Sequence, residues 1–450
     1  MKTTGLLTLL FTSMAATAIA GPNALPMGVE VVEIDGKTTV REVPHALLGR
    51  GLDKRCRECV GQGGSCTIGD GSCYSEDPPL YCTWCGDKCG SRCYLRINNT
   101  LPKTRNNTHK TYHTIYTMVR YSEIQQSNRE FGETSRAAPF VAVFVGGTSG
   151  IGKSTIKALV STNGSLKIYL IGRKSAESGI MPFIEKLQTI NPNANVAWLE
   201  GEVSLLVDTK KICEIIRSKE SRIDLLFLST GYAPFGPREE TAEGVEITQS
   251  LRYYTRVLFI LHLLPLLREG KGRVVSVLAG GMEWAVTNLD DIDLKKPGSF
   301  GVVNAHIQCA NMTTATMERL ADDNPDVTFI HSAPGSVNTG NVRRGIDSPN
   351  SVKAWLIWLF LEPLIRLLSF SNEESAQRHL FQSTSAVFGG RGVRWEGNSG
   401  RNSRGDNTAG LFLVNEKCDC TTNEKAVSSV RQNAKDKIWD HTLEVLNPYL

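Results

Sequence analysis

The chain has 450 residues, of which 41% are hydrophobic and 21% charged, and its formal net charge is +4. This is ordinary globular composition, with enough length for two or three domains. The charge is too small and too evenly spread to indicate a nucleic-acid partner, which we therefore exclude.

The first 20 residues have the pattern of a secretory signal peptide. Lys2 precedes an apolar run from Leu6 to about Ala15, and small residues lead to a cleavage point before Gly21. The run is too short for a membrane helix, which needs ~20 apolar residues, so we expect no integral membrane span after signal removal. A buried N-terminal helix is the alternative. Residues 21–55 are interpreted as a leader or propeptide, because they end at the dibasic pair Lys54-Arg55.

Residues 56–93 contain eight of the 12 cysteines: Cys56, Cys59, Cys66, Cys73, Cys82, Cys85, Cys89 and Cys93. A dense, even set predicts a small disulfide-rich module, because so short a unit cannot bury enough apolar surface by itself. The spacing does not fix the pairing, and two Cys-x-x-Cys pairs leave zinc binding as the less favoured alternative. In layout, residues 1–93 resemble fungal small secreted cysteine-rich proteins, which implies a secreted peptide.

Residues 94–137 are poor in apolar side chains and predict a linker. Asn98 and Asn106 stand in N-x-Thr sequons, as glycosylation of a secreted loop requires. Two further sequons, at Asn163 and Asn311, fall inside the next domain and matter only if that domain is secreted.

An α/β domain is predicted from 138 to 450. Val141–Val145 is a continuous apolar run, as a strand buried on both faces requires, and a glycine-rich segment follows it and precedes an amphipathic helix. Such glycines let the backbone approach a pyrophosphate at the helix N-terminus. The cofactor-binding residues predicted in this segment are Gly146, Thr148, Ser149, Gly150, Ile151 and Gly152.

The second predicted strand, Ile168–Ile171, is followed closely by Arg173. An acidic residue there would bind the ribose hydroxyls of NAD, whereas Arg173 can pair with the 2′-phosphate of NADP. We therefore expect NADP, with NAD as the less favoured cofactor. Further apolar runs at Val196–Leu199 and Ile223–Leu228 continue the alternation of strand and helix. The pattern predicts a Rossmann-type doubly wound parallel sheet.

Over about 118–450 these motifs resemble the short-chain dehydrogenase/reductase family, most closely fungal members encoded beside secondary-metabolite genes. Gly146, Gly150 and Gly152 match the family's Gly-x-x-x-Gly-x-Gly pattern. The resemblance implies further cofactor contacts from Glu202, Val203, Gly231, Pro334, Gly335, Val337 and Thr339. It also implies an NADP-dependent oxidoreductase for a carbonyl or alcohol of a secondary metabolite. It implies a small-molecule substrate and no metal, and it allows a homodimer.

The catalytic residues depart from the family's tetrad of Asn, Ser, Tyr and Lys, in which Tyr donates a proton and Lys lowers its pKa. The corresponding positions hold Arg252, Ala279, Phe300 and Asn304. We therefore predict a degenerate tetrad and leave the catalytic residues unknown, with three substitute donors to consider: Tyr253, Tyr254 and His306. The alternative is a dinucleotide-binding protein without hydride transfer.

Met118 begins a segment that resembles the natural start of the related fungal dehydrogenases. An oxidising compartment suits the cysteine block, whereas NADPH chemistry is usually cytosolic. We therefore predict that a gene-model fusion joins two products. The chain as written is then secreted by its signal peptide, whereas a dehydrogenase that starts at Met118 is cytoplasmic.

Two apolar stretches near the substrate end of the domain are interpreted without a membrane. Val257–Leu267 predicts a buried helix, and Trp355–Leu361 lies where the family has its substrate lid, so it predicts a lid or a dimer contact. Cys418 and Cys420 are interpreted as incidental, not as a metal or redox pair.

Overall fold

The computed structural model describes residues 27–34, 37–44, 119–135, 138–285, 288–337, 369–421 and 424–450. The chain divides into two compact units, Met1–Ile115 and Tyr116–Leu450. In the first unit, strands β1 (Met27–Ile34) and β2 (Lys37–Pro44) pair antiparallel within the predicted leader. The predicted signal peptide, cysteine module and substrate lid lie outside the described residues.

The second unit is built on a seven-stranded sheet in which all neighbouring strands are parallel. Its strands are β3 (Phe140–Val145), β4 (Leu166–Gly172), β5 (Ala194–Glu200), β6 (Leu225–Leu228), β7 (Arg273–Val277), β8 (Thr328–Ser332) and β9 (Leu411–Val414). Their order across the sheet is β5-β4-β3-β6-β7-β8-β9. The chain thus winds outward from β3 in both directions, which confirms the predicted doubly wound sheet. Such an order leaves a crevice at the carboxyl ends of β3 and β6.

Helices cover both faces of this sheet. They are α1 (Tyr121–Thr134), α2 (Gly150–Val160), α3 (Glu177–Ile190), α4 (Leu206–Lys219), α5 (Thr255–Gly270), α6 (Val302–Asp323), α7 (Asn372–Thr384), α8 (Glu424–Asn433) and α9 (Lys435–Leu446). Alternate side chains of β3 lie on opposite faces of the sheet and pack into two separate cores. Ala142 and Phe144 pack into a core with α1, α2, α3 and α7, whereas Val141, Val143 and Val145 pack into a core with α4, α5 and α6.

Helix α1 lies inside the stretch 94–137 that the sequence analysis assigns to a linker. Its buried face carries Ile124 and Phe131, and Asn128 Nδ2 donates to the Gln377 carbonyl of α7 over 2.8 Å. The structure therefore corrects that assignment for residues 121–134. Composition conceals this helix, because it has few large apolar residues among many polar ones.

The other helical predictions concern α5 and the membrane. Val257–Leu267 falls within α5, and most of its side chains are buried against the sheet, as predicted.

Among the described residues, no helix has the length and hydropathy that a membrane crossing requires. Asn311 is fully buried inside α6, so its sequon is inaccessible in the folded domain. Cys418 and Cys420 are free thiols in the structure.

Candidate active site at the carboxyl edge of the sheet

The turn between β3 and α2 forms one end of the candidate site. Gly146 has φ of 100° and Gly150 has φ of 56°, conformations that favour glycine. A Cβ on Gly152 would lie 2.5 Å from the Gly146 carbonyl oxygen, so α2 packs directly against the turn. Ser149 is the N-cap residue of α2, and the first N–H groups of a helix have no helical partner. The arrangement therefore fits a pyrophosphate at the helix N-terminus.

Two other residues of this segment fix its position. The methyl group of Thr148 packs against Gly172, where a Cβ would lie 2.4 Å from it. Ile151, at the start of α2, packs against the core shared by α1, α2 and α7. The turn is thus held in place by one contact at the end of β4 and by another with the hydrophobic core.

A cleft of ≈ 490 Å³ opens at the carboxyl ends of β4 and β5, and Arg173, Lys174, Glu200 and Glu202 contribute to its lining. The side chains of Arg173 and Lys174 are 65% and 79% exposed. Arg173 pairs with Glu202, and Lys174 with Glu200, at 4.0 Å in each case. Exposed pairs at that distance are weak, so both cations can turn to a phosphate. Val203, beside Glu202, is buried.

The remaining positions predicted to bind the cofactor follow β6 and β8. Gly231 has φ of 126°, and a Cβ there would lie 2.6 Å from Cγ of Arg252. Pro334 and Gly335 lie two and three residues after the end of β8, and Val337 forms a parallel bridge with Phe370. Thr339 lies outside the described residues. Because the strands are parallel, the described positions share one edge of the sheet with the turn at Gly146.

Arg252 stands at the tetrad's Asn position, in a π-helical turn, Ser250–Tyr254, that runs directly into α5. Single π-turns of this kind are often found at functional sites. The carboxylate of Glu246 accepts hydrogen bonds from the backbone N–H groups of Thr248 and Gln249, which fixes the start of this segment. Arg252 is 5% exposed, and its Nη2 donates to Nδ1 of His306 over 2.7 Å.

Arg256, four residues beyond Arg252, connects the strand ends that border the crevice. Its Nη1 donates to Ser276 Oγ and to the Val277 carbonyl at the end of β7, over 2.9 and 3.0 Å. Its Nη2 donates to the Thr230 carbonyl after β6. Burial, together with the charge of Arg252, lowers the pKa of Arg256 to about 9. One buried cation therefore connects the ends of two adjacent strands.

Ala279, at the tetrad's Ser position, has its backbone held by a buried chain of hydrogen bonds. Its N–H donates to Nε2 of His331 over 3.1 Å, so Nδ1 of that ring carries the proton and donates to Thr314 Oγ1 at 2.8 Å. Thr314 in turn donates to Glu283 Oε1 over 2.7 Å. Burial and the charge of Arg256 lower the pKa of His331 to about 3, which keeps the ring neutral. The chain therefore fixes the loop after β7.

Phe300 and Asn304, at the tetrad's Tyr and Lys positions, lie around the start of α6. The helix begins at Val302, so Phe300 precedes it and Asn304 lies in its first turn. Asn304 is exposed, and its Nδ2 donates to the Ser299 carbonyl over 2.8 Å. It is His306, two residues further along α6, that contacts Arg252.

The two tyrosines considered as substitute donors are occupied elsewhere. The Tyr253 hydroxyl lies 2.6 Å from the hydroxyls of Thr316 and Thr442, and the Tyr254 hydroxyl donates to Asp293 over 2.6 Å. Burial raises the pKa of both phenols. The Arg252–His306 pair joins residues 54 positions apart, so no sequence pattern could have identified it.

No family model matches the chain. It is 36% identical over 341 residues to an oxidoreductase of Emericella nidulans, which covers 73% of this chain and 98% of that protein. It is 32% identical to an NmrA-like family domain-containing oxidoreductase of an Aspergillus species, over 72% and 94% of the two chains. A short-chain dehydrogenase/reductase of Stachybotrys chartarum is 28% identical, over 70% and 94%. Among solved structures, levodione reductase aligns with a TM-score of 0.40 and 19% identity, over 54% and 90%.

Proposed function

Because the chain belongs to the short-chain dehydrogenase/reductase family and is an oxidoreductase, we propose that its unit Tyr116–Leu450 transfers hydride between NADP and a carbonyl or alcohol group of a small apolar metabolite. One observation carries the proposal. The glycine turn Gly146–Gly152, the cationic cleft at Arg173 and the buried pair Arg252–His306 follow strand ends at one edge of the sheet, where doubly wound folds bind dinucleotides.

The glycine turn would hold the pyrophosphate of the cofactor. The close packing of Gly152 on Gly146 leaves no room for side chains between α2 and the turn. Gly231 and the segment from Pro334 to Val337, which follow β6 and β8, would line the nicotinamide half. When bound, the nicotinamide supplies or accepts the hydride, while the protein orients the substrate and excludes water.

The preference for NADP over NAD depends on Arg173 and Lys174. A guanidinium presents several donors in a planar fork, which suits a phosphate, and an adjacent ammonium group adds a second positive charge. Their weak pairing with Glu202 and Glu200 supports this assignment, because little interaction is lost when a 2′-phosphate binds.

A substrate with an extended apolar surface is supported by the loop after β7. Met282 and Trp284 are 49% and 53% exposed there, although they lie close to Ala279 at the tetrad's Ser position. The buried side chain of Asn311 holds the backbone of Trp284 on both sides, donating to its carbonyl at 3.0 Å and accepting from its N–H at 3.1 Å. An exposed indole on a backbone held in this way suits contact with a carbon skeleton such as that of a secondary metabolite.

A dinucleotide-binding protein without hydride transfer is the second candidate. Ala279 and Asn304 favour it, because neither can act as the family's Ser or Lys. The relatives at 32% and 36% identity are nevertheless oxidoreductases by name, which favours the enzyme.

We also propose that the cysteine-rich N-terminus and the oxidoreductase are separate products, the first secreted and the second cytoplasmic. The division between Ile115 and Tyr116 supports this, as does the match of 98% of the Emericella protein to 73% of this chain. Peptides from both parts in a single intact protein from native cells would overturn it.

The main proposal is tested by titrating the full chain with NADPH and NADH, followed by NADPH consumption with a panel of apolar ketones and aldehydes. We expect tighter binding of NADPH than of NADH and turnover with at least one carbonyl. Binding of neither nucleotide would refute the proposal. Binding with no turnover across the panel, in either direction of reaction, would favour the non-catalytic candidate.

A further inference from the structure

The pair formed by Arg252 and His306 has a role that the family's tetrad does not supply. We propose that Arg252 holds His306 as the neutral tautomer protonated on Nε2, and that this N–H donates a hydrogen bond to the reacting oxygen of the substrate. His306 is then a catalytic residue and Arg252 a positioning residue. The inference rests on the proposed function, since it assigns the group that acts on the substrate at that same site.

The tautomer follows from the donor inventory. A guanidinium carries only N–H donors, so Nδ1 of His306 must be the acceptor in the 2.7 Å contact with Arg252 Nη2. A neutral imidazole that accepts at Nδ1 carries its proton on Nε2. The ring is partly exposed, whereas Arg252 is buried. The proton is thereby directed to the nitrogen remote from Arg252.

The charges around His306 keep it neutral. Arg252 lies on the π-turn, and Arg256 follows it on α5. On the other side, His331 of β8 is neutral, and the nearby carboxylate of Glu283 accepts from Thr314. Burial, followed by the charge of Arg252, lowers the pKa of the His306 imidazolium to about 4. Neutral His306 is thus the form present above about pH 5.

A buried donor beside the ring supports the same role. Nη1 of Arg252 has no hydrogen-bond partner within the described ranges, and an unsatisfied buried donor is unfavourable. Arg252 also packs against Gly231, one of the positions expected to line the nicotinamide half. An oxygen atom bound next to the pair would therefore lie near a donor, Nη1 of Arg252, that still lacks an acceptor among the described residues.

The chemistry balances without a conventional acid. During reduction a new C–H bond forms at the carbonyl carbon, the π electrons of the C=O bond move to oxygen, and NADPH is oxidised to NADP⁺. The Nε2–H group stabilises the resulting alkoxide, as donors of an oxyanion hole do. Solvent water then supplies the proton that completes the alcohol and releases hydroxide to the bulk.

The first test needs no cofactor. In ¹⁵N-histidine NMR spectra of the full chain, we expect the His306 signals to report the Nε2–H tautomer from about pH 5.5 to 9. Arg252→Met should remove this bias and raise the pKa of His306 toward its ordinary value, whereas Arg252→Lys should restore it in part. An Nδ1–H tautomer or an imidazolium in the wild type would overturn the proposal.

The second test is kinetic. His306→Leu should lower kcat roughly 10²-fold, as loss of one oxyanion donor does, while NADPH affinity stays unchanged. His306→Gln, which keeps an N–H donor, should recover part of the rate, and His262→Leu on α5 is the matched control. Unchanged kcat in His306→Leu would refute the catalytic role. If NADPH does not bind to the wild type, the proposed function is refuted. The NMR experiment would still show whether Arg252 holds His306 as the Nε2–H tautomer.

Discussion

A Cβ on Gly152 would lie 2.5 Å from the carbonyl oxygen of Gly146, across the turn that joins β3 to α2. Gly152→Val should therefore displace the first turn of α2 and weaken NADPH binding by roughly tenfold or more. Fluorescence titration measures the effect. Gly179→Ala in α3 is the control, because its Cβ would meet nothing within 4 Å. Equal affinity in wild type and Gly152→Val would show that this turn does not hold the cofactor.

Arg173→Asp should reverse or abolish the preference for NADPH. The contact with a phosphate is charge-assisted and contributes roughly 1.5–3 kcal/mol, which the substitution removes and replaces with repulsion. The ratio of the two dissociation constants, for NADPH and NADH, is the measurement. Lys186→Asp makes the same change of charge at an exposed position of α3 and should leave the ratio alone. A ratio that Arg173→Asp does not alter would contradict the assignment of NADP.

The double substitution Phe300→Tyr and Asn304→Lys should not raise kcat. Phe300 precedes α6, and Asn304 is exposed and donates to Ser299, so the new side chains would not reproduce the family's Tyr and Lys at the Arg252–His306 pair. Single-turnover NADPH oxidation compares the variant with wild type. A gain of about tenfold or more would mean that the family register does apply at these two positions.

Trp284→Ala should raise the KM for large apolar carbonyl substrates with little effect on Tm. The indole is 53% exposed, so its removal costs the fold little, whereas a bound carbon skeleton would lose its packing surface. Met181→Ala, which removes a comparably exposed apolar side chain from α3, is the control. A KM that is unchanged for every substrate of the panel would eliminate this loop as a substrate contact.

Asp293→Asn should destabilise the domain at neutral pH but not in strong acid. Burial would raise the pKa of Asp293, but hydrogen bonds from His441 and Tyr254 outweigh it and lower that pKa to about 2. A depressed carboxyl pKa stabilises the fold above about pH 4, and this contribution is lost as the pH falls toward 2. Denaturant titrations should give a difference of roughly 2 kcal/mol at pH 7. An equal difference at pH 7 and pH 2.5 would contradict the account.

The sheet and its glycine turn were predictable, because they depend on local patterns. Val141–Val145 is apolar on both faces, and Gly146–Gly152 follows at once, so strand, turn and helix can be read from adjacent residues. The place of Arg173 directly after the second strand was likewise predictable from adjacent residues. Each of these features needs no information about distant parts of the chain.

The Arg252–His306 pair and α1 could not be predicted, because long-range contacts create them. Arg252 meets His306 only after α5 and α6 have packed, and the preceding π-turn leaves no recognisable sequence pattern. Helix α1 resembles a linker because it has few apolar residues, and the partner that Asn128 bonds, Gln377, lies 249 residues away. Tertiary packing, and not local helix propensity, determines both the Arg252–His306 contact and the position of α1.

The hydrogen bonds of Arg256 to Thr230, Ser276 and Val277 have a consequence for how this site can change. Because one guanidinium joins the end of β7 to the loop after β6, neither can shift without straining the other. Substitutions at Thr230 and Ser276 should consequently be non-additive, as is usual for residues that share a partner. Selection for a new substrate would proceed more readily through the exposed side chains of Met282 and Trp284 than through these strand ends.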